Sequence, residues 1–137
     1  MTHPVLPMSE LGFHFLANIE NALSAGNWSV FREGIARVRL YGDGNDGPSV
    51  SLLRYAPGAR LPSHCHTGFE HILILSGEQI DEHGMYQRGD FIVNAPGSQH
   101  SVRSPAGCDA LVIWQAPVIF LPQTQKESIL SRDTGTT

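Results

Sequence analysis

Four residues in the middle of the 137-residue chain have the types and spacing of a metal-binding group. His64 and His66 lie two positions apart, so both imidazoles point to the same face if they lie on a β-strand. Glu70 has the same parity, and a short turn at Thr67-Gly68 would return its carboxylate to that face. His100 comes from a later strand. Three imidazoles and one carboxylate suit a borderline first-row metal such as zinc, iron, manganese, nickel or copper.

We call these four residues, His64, His66, Glu70 and His100, the histidine–glutamate cluster. The alternative is a set of polar strand residues that are hydrogen-bonded in a core. Burying a carboxylate and several imidazoles in an apolar barrel without a cation would cost on the order of several kcal/mol. The spacing therefore favours the interpretation as a metal-binding group.

Other titratable residues near the cluster have simpler interpretations. Cys65 has the opposite parity to its histidine neighbours, so it is expected to point away as a small buried residue. Free thiols, rather than a pair with Cys108, are expected. His71 is predicted to be packed or at an interface, and His83 to be solvated at a hairpin tip.

The elements that must position the cluster are mostly strands. The predicted helix spans 9–25, with Ser9 as N-cap, an apolar residue at every fourth position and Gly26 after its end. A partly extended N-terminal arm is the alternative. Beyond it, strands are predicted at 35–40, 50–55, 69–75, 78–80, 85–87, 91–93, 100–103 and 110–115. The almost uniformly apolar segment 69–75 indicates a strand covered on both faces. Frequent turn signals favour a β-sandwich or barrel.

Composition narrows the class of protein. A hydrophobic fraction of 41%, a charged fraction of 16% and a net charge of −4 indicate one globular domain without a broad phosphate-binding surface. We expect no nucleic-acid partner. No apolar run approaches the ~20 residues that span a bilayer, and no signal peptide is visible, so no membrane partner and a cytoplasmic location are expected. The predicted division is a helix or arm at 1–27, one domain at 28–121 and a polar tail at 122–137.

The spacing of the cluster resembles the first motif of the cupin superfamily, G-x5-H-x-H-x3-E-x6-G. Gly58, His64, His66, Glu70 and Gly77 fill every position of that motif. The resemblance implies an all-β fold, a single-domain cupin jelly-roll β-barrel with a short N-terminal helix or arm.

The second cupin motif, G-x5-P-x-G-x2-H-x3-N, is matched with two departures. Gly89, Gly97 and His100 agree with it, whereas Ala95 replaces the proline and Ser104 replaces the asparagine. Both departures lie on turn or flanking positions and leave the candidate metal ligands intact. The glycines of both motifs are expected to be turn formers.

A narrower resemblance links the chain to the cupin-like domain of ChrR-type anti-sigma factors and their free-standing relatives. The segments LLRYAPGARLPSHCHTGFEHILILSG, DEHGMYQRGD and GSQHSVRSPAGC are similar to that domain. The resemblance implies zinc on the histidine–glutamate cluster, with iron, manganese or nickel as alternatives. The segment before Trp28 lacks the cysteines of the family's sigma-binding domain, so an anti-sigma role on its own is not expected.

Two functions remain open at this point. The first is a metal-dependent enzyme, an oxygenase or isomerase, acting on a small oxygen-bearing molecule. The second is a non-catalytic sensor with a closed zinc site, and a weaker third is a purely structural metal. Residues that could line a pocket, none of them assigned a catalytic role, are Arg54, Tyr55, Tyr86, Gln99 and Trp114. A homodimer is predicted, with the apolar segment 117–121 as a contact.

Overall fold

The computed structural model describes residues 15–122, apart from the side chain of Phe15. This part of the chain forms one helix followed by ten strands. In chain order they are α1 (Phe15–Ala25), β1 (Ser29–Arg32), β2 (Ile35–Tyr41), β3 (Ser49–Tyr55), β4 (Ala59–His66), β5 (Glu70–Asp81), β6 (Gly84–Gln87), β7 (Phe91–Asn94), β8 (Gln99–Ser104), β9 (Cys108–Trp114) and β10 (Val118–Phe120).

The strands form a curled antiparallel sheet in the order β1-β2-β3-β9-β5-β8-β4-β10, with β6 and β7 paired to β5. The long strand β5 belongs to both halves of this sheet, because its first half pairs with β9 and β7 and its second half with β6 and β8. Gly77, at φ +73°, lies at the change of partner, where a Cβ would overlap the backbone of Gly107. The fold is an all-β barrel, as predicted.

The inner face of the curled sheet holds the larger apolar core. Its buried members alternate along the strands with residues of the outer face. They are Ile35, Leu53, Tyr55, Ala59, Leu61, Ile72, Ile74, Ile92, Val102, Cys108, Ala110, Val112 and Trp114. This core forms the floor beneath the histidine–glutamate cluster.

Helix α1 covers part of the outer face and makes a second apolar cluster there. Ile19 and Ala22 pack with Val38, Leu52 and Leu111. The end of the predicted helix is confirmed, whereas its first residues, 9–14, lie outside the described part of the chain. No helix among residues 15–122 is both long and apolar enough to cross a membrane.

The predicted strands are all present, with two differences. Residues 70–75 of the predicted segment 69–75 lie in β5, and the segment is fully covered on one face only. On the outer face His71 is half-buried, beside exposed Phe69. Three strands, β1, β4 and β10, were not among the predicted ranges. Strands β1 and β10 have too few residues to show an alternating pattern, and β4 entered the prediction only as the condition that His64 and His66 lie on a strand. The cupin-motif glycines Gly58, Gly89 and Gly97 have positive φ and lie in turns, as predicted. Gly77 also has positive φ but lies inside β5, so the prediction of a turn is wrong there.

Candidate metal centre

Three strands bring the histidine–glutamate cluster together at one end of the barrel. Strand β4 ends with His64 and His66 on its inner face, and β5 begins with Glu70 after a three-residue turn. Strand β8 pairs with β4 so that His100 lies directly opposite His64. All four side chains are buried, each no more than 5% exposed. The predicted convergence of the four residues is confirmed.

The potential ligand atoms face one another at short distances. The Nε2 atoms of His64 and His100 are 3.0 Å apart, and Glu70 Oε1 lies 3.0 Å from His66 Nε2 and 3.6 Å from His100 Nε2. One nitrogen or oxygen from each side chain lies within 4.8 Å of all the others. His66 Nε2 is buried without a hydrogen-bond partner in spite of its short distance to Glu70. Atoms at these separations can all bind a single metal ion, whose bonds to nitrogen and oxygen are about 2.0–2.2 Å long.

Acceptor groups behind the imidazoles fix the orientation of all three rings. His64 Nδ1 lies 2.8 Å from the carbonyl oxygen of Pro62, and His100 Nδ1 lies 3.0 Å from Asp81 Oδ2. His66 Nδ1 lies 3.0 Å from the hydroxyl of Ser98, which donates its own hydrogen to a backbone carbonyl. Each Nδ1 must therefore carry the hydrogen, and each neutral ring presents the lone pair of Nε2 to the centre.

Glu70 is held in the ionised form by its neighbours. Burial alone would raise its pKa, but contacts with His66, His100 and Trp114 outweigh this and lower the pKa. Trp114 Nε1 donates to Oε2, and Asn94 Nδ2 donates to Oε1 at 2.9 Å. These two donors fix the plane of the carboxylate while Oε1 stays directed at the imidazoles.

The donor set fits a divalent transition metal. Burial, the main cause, lowers the pKa of His64, so this ring is neutral near pH 7. Three lone pairs and a carboxylate oxygen thus converge without a hydrogen among them, an arrangement that a cation stabilises. Imidazole nitrogen with one carboxylate oxygen suits zinc, iron, manganese or nickel.

The other residues singled out in the sequence lie outside this group. Cys65 is half-buried and Cys108 buried, and both are free thiols, as expected. His71 packs between the rings of Phe69 and Phe91, with centroid distances of 6.1 and 5.7 Å, and exposed His83 lies at a hairpin tip.

The five residues named as a potential pocket lining lie in different parts of the fold. Trp114 contacts the cluster through Glu70, and Tyr86 approaches Asp81, the partner of His100, at 3.4 Å. Arg54 instead forms an ion pair with Asp109 and bonds the last turn of α1 on the outer face. Tyr55 belongs to the core, and Gln99 is exposed.

Sequence reasoning missed three side chains that support the cluster: Asp81, Asn94 and Ser98. Asn94 lies directly opposite Glu70 in the β5–β7 pairing, so strand parity together with that pairing would have found it. Asp81 approaches His100 only because β5 bends at Gly77 and crosses to β8. No local pattern shows such a bend in advance.

A family profile described as the ChrR Cupin-like domain matches residues 18–117 of the chain. That span contains strands β1 to β9 and the histidine–glutamate cluster. The protein belongs to the ChrR cupin-like family. No curated protein sequence matches this cupin.

Solved structures show the same fold at low sequence identity. This cupin is similar to a Ralstonia eutropha protein of unknown function with a cupin-like fold (TM-score 0.61, 23% identity), covering 66% of this chain and 60% of that one. It is also similar to a chain of the Rhodobacter sphaeroides complex of SigE with the anti-sigma ChrR (TM-score 0.60, 24% identity), covering 67% and 50%. An acetylacetone dioxygenase from Acinetobacter johnsonii superposes with a TM-score of 0.66 at 16% identity, covering 73% and 75%. This cupin thus spans 60% or less of the first two structures.

Asp81 offers a direct test of ring orientation in this cupin. Its side chain is 4% exposed, and it joins His100 to the β5–β6 hairpin by accepting the backbone N–H of His83 at 2.8 Å. We expect Asp81→Asn to weaken metal affinity by about 10- to 100-fold, because the amide holds the His100 tautomer less well. Competition with a chelator of known affinity measures this. Asp46→Asn, an equal charge change in an exposed loop, should leave affinity unchanged; equal affinities in both variants would contradict the role of Asp81.

Proposed function

We propose that the protein binds one divalent transition metal ion through His64, His66, Glu70 and His100 and uses it to bind and activate a small oxygen-bearing molecule. The observation that supports this most directly is the convergence of three Nε2 lone pairs and one carboxylate oxygen within 4.8 Å. The Nδ1 atom of each imidazole is already hydrogen-bonded to an acceptor. The three Nε2 atoms are therefore the ones that are available to bind a metal.

The protein's own residues determine what the centre can do. A bound metal of this class supplies Lewis acidity or, with iron, redox chemistry at positions that the protein leaves open. The chain contributes one carboxylate that can bind the metal directly, at Glu70, and a setting from which water is largely excluded. No separate acid or base among residues 15–122 contacts the centre, apart from the groups that hold the ligands themselves.

A second candidate function is that of a non-catalytic zinc sensor. It is favoured by the family match, since the ChrR profile covers residues 18–117. The two functions differ in the metal: four protein ligands can close a tetrahedral zinc site, whereas iron or manganese takes further ligands. If the protein is a sensor, zinc is the metal that we expect in the site.

Elemental analysis of the purified protein tests the proposed function. We expect about one equivalent of a transition metal per chain, either as isolated or after loading with each candidate ion. Iron or manganese that takes up an added ligand would support the enzyme, and zinc that takes up none would support the sensor. Failure to retain any of these ions would contradict both.

We also propose that the protein forms a homodimer. The segment predicted as a contact forms the edge strand β10, in which Ile119 is 56% exposed, and such an edge can pair with a second copy. Light scattering after size-exclusion chromatography should give twice the chain mass, and Ile119→Lys should shift the population toward monomer. A monomer at micromolar concentration in the unaltered protein would contradict the proposal.

A further inference from the structure

A groove with a volume of about 1000 Å³ lies beside strands β4 and β8. It is lined by the β1–β2 hairpin, the first half of β4, the end of β5 and the middle of β8. Its size is at the upper end of the range for clefts that bind small molecules. None of the described residues that line it belongs to the histidine–glutamate cluster, so the groove is a place separate from the metal centre.

Three arginines, Arg32, Arg60 and Arg103, line this groove, which we call the arginine groove. All three residues are exposed, and among residues 15–122 no carboxylate lies within 4.0 Å of their guanidinium groups. A guanidinium can donate two parallel hydrogen bonds to a carboxylate or a phosphate. The groove therefore offers three sets of donors that are suited to anions.

Two of these arginines are direct neighbours across the β4–β8 pair. Arg60 lies opposite Arg103, and the adjoining strand residues Leu61 and Val102 are buried, so both arginines are on the outward face. Their Cβ atoms are about 4.5–5.5 Å apart, and like charges in this arrangement repel each other. An anion bound between them would remove the repulsion. Ile80 follows Arg103 in the same cross-strand row and places an apolar side chain beside the charged pair.

The third arginine comes from the opposite side of the groove. The guanidinium of Arg32 lies 3.8 Å from the centre of the Phe120 ring, which holds the cation in place. The hairpin that carries Arg32 is close to β4, since a Cβ on Gly34 would lie 3.1 Å from the Cβ of Ala59. Arg32 can therefore contact a second charged group of a ligand whose first group lies between the other two arginines.

Three carboxylates also line the arginine groove, but two of them are bonded to other groups. Asp81 accepts hydrogen bonds from His100 Nδ1 and from the backbone N–H of His83. Glu82 accepts the backbone N–H and the hydroxyl of Ser101. The third carboxylate, that of Glu33, is exposed in the hairpin turn. None of the three neutralises an arginine of the groove by direct contact.

We propose that the arginine groove binds a small organic dianion, with one carboxylate or phosphate group between Arg60 and Arg103, a second held by Arg32, and a short hydrocarbon part beside Ile80. A long polyanion is disfavoured by the net charge of −4 of the chain. The proposal goes beyond the proposed function and does not depend on it, because the groove contains none of the candidate metal ligands.

Isothermal titration calorimetry of the zinc-loaded protein at low ionic strength tests this proposal with three probes. Glutarate has two carboxylates, 3-phosphoglycerate has a phosphate in place of one of them, and monomethyl glutarate has a single charge. We expect at least one dianion to bind about tenfold or more tightly than the monoester, and the tighter of the two identifies the preferred group. Failure of both dianions to bind, or equal binding of glutarate and its monoester, would overturn the proposal.

Variants of the arginines assign the binding to the groove. Arg103→Gln should weaken binding of the preferred dianion roughly tenfold or more without lowering the unfolding temperature, because it also removes the repulsion from Arg60. Arg32→Gln should reduce the preference for the dianion over the monoester. Arg88→Gln is the matched control, since Arg88 is exposed, has the same charge and lies outside the groove. Equal affinities in Arg103→Gln and Arg88→Gln would overturn the proposal.

A final titration separates the groove from the metal centre. Protein that has been freed of zinc with a chelator, and then of the chelator by dialysis, should bind the dianion as the zinc-loaded protein does. Binding that disappears with the zinc would place the dianion at the metal and overturn the groove proposal, while leaving the proposed metal function intact.

Discussion

Replacing His100 by alanine is expected to weaken metal binding by a few hundred-fold or more. His100 Nε2 lies 3.0 Å from His64 Nε2 and 3.6 Å from Glu70 Oε1, so it takes part in both halves of the cluster. Structural zinc sites with four ligands have binding free energies of about 10–16 kcal/mol, or about 3–4 kcal/mol per ligand. Losing one ligand should therefore weaken affinity by a few hundred-fold or more.

The matched control for this variant is His71→Ala. His71 lies on the same barrel but on its outer face, stacked against Phe69 and Phe91. Elemental analysis after dialysis against a chelator of intermediate affinity should give about one equivalent for His71→Ala and little for His100→Ala, while circular dichroism shows the same strand content in both. A full equivalent retained by His100→Ala would show that His100 is not a ligand.

The candidate site was predictable because three of its four residues lie close together in the sequence. His64, His66 and Glu70 lie within seven consecutive residues. Strand parity places the two histidines on one face, and the short turn between β4 and β5 returns Glu70 to that face. Only His100 required knowledge of a distant strand, and there the second cupin motif supplied the position. The pairing of His64 with His100 across β4 and β8 could not be deduced from parity alone.

The supporting residues were not predictable because they depend on how strands cross. Asp81 reaches His100 through the bend of β5, and Trp114 reaches Glu70 through the register of β5 with β9. Such contacts join residues 19 and 44 positions apart. A single sequence contains no signal for that register.

Strand β2 shows a different limit of pattern analysis. Its alternation of apolar residues with Arg37 and Arg39 is compatible with arginines that face solvent. In the fold the apolar residues Val38 and Leu40 instead lie under α1 on the outer face, and the arginines share the inner face with Ile35. The alternating pattern divides the residues of a strand between two faces. Which of the two faces the interior of the barrel depends on what covers the other one.

Removing the metal is expected to lower the thermal stability of the protein by on the order of 10 °C or more. A ligand at about 1,000 times its dissociation constant stabilises the folded state by about 4 kcal/mol, and each kcal/mol shifts the unfolding temperature of a domain of this size by about 2–8 °C. Thermal unfolding at pH 7.5, with and without a strong chelator, measures the shift. His100→Ala should not respond to the chelator, and an equal response in this variant would assign the effect to something other than the cluster.

The metal-free protein should lose further stability as the pH falls. The pKa of His64 is lowered from 6.5 in the fold, chiefly by burial, so the unfolded chain takes up a proton at this residue before the folded one does. This part of the stability is complete above about pH 6.5 and is lost as the pH falls toward the folded-state pKa. Glu70, whose pKa is lowered from 4.5 by its neighbours in spite of burial, adds a loss in the same direction at lower pH.

Unfolding free energies of the metal-free protein, measured by urea titration in the presence of a chelator, should therefore decrease from pH 7.5 to pH 6 and again to pH 5. His64→Gln should flatten the slope between pH 7.5 and 6, whereas His83→Ala, at the exposed hairpin tip, should preserve it; a slope that His64→Gln leaves intact would mean that another group controls this transition.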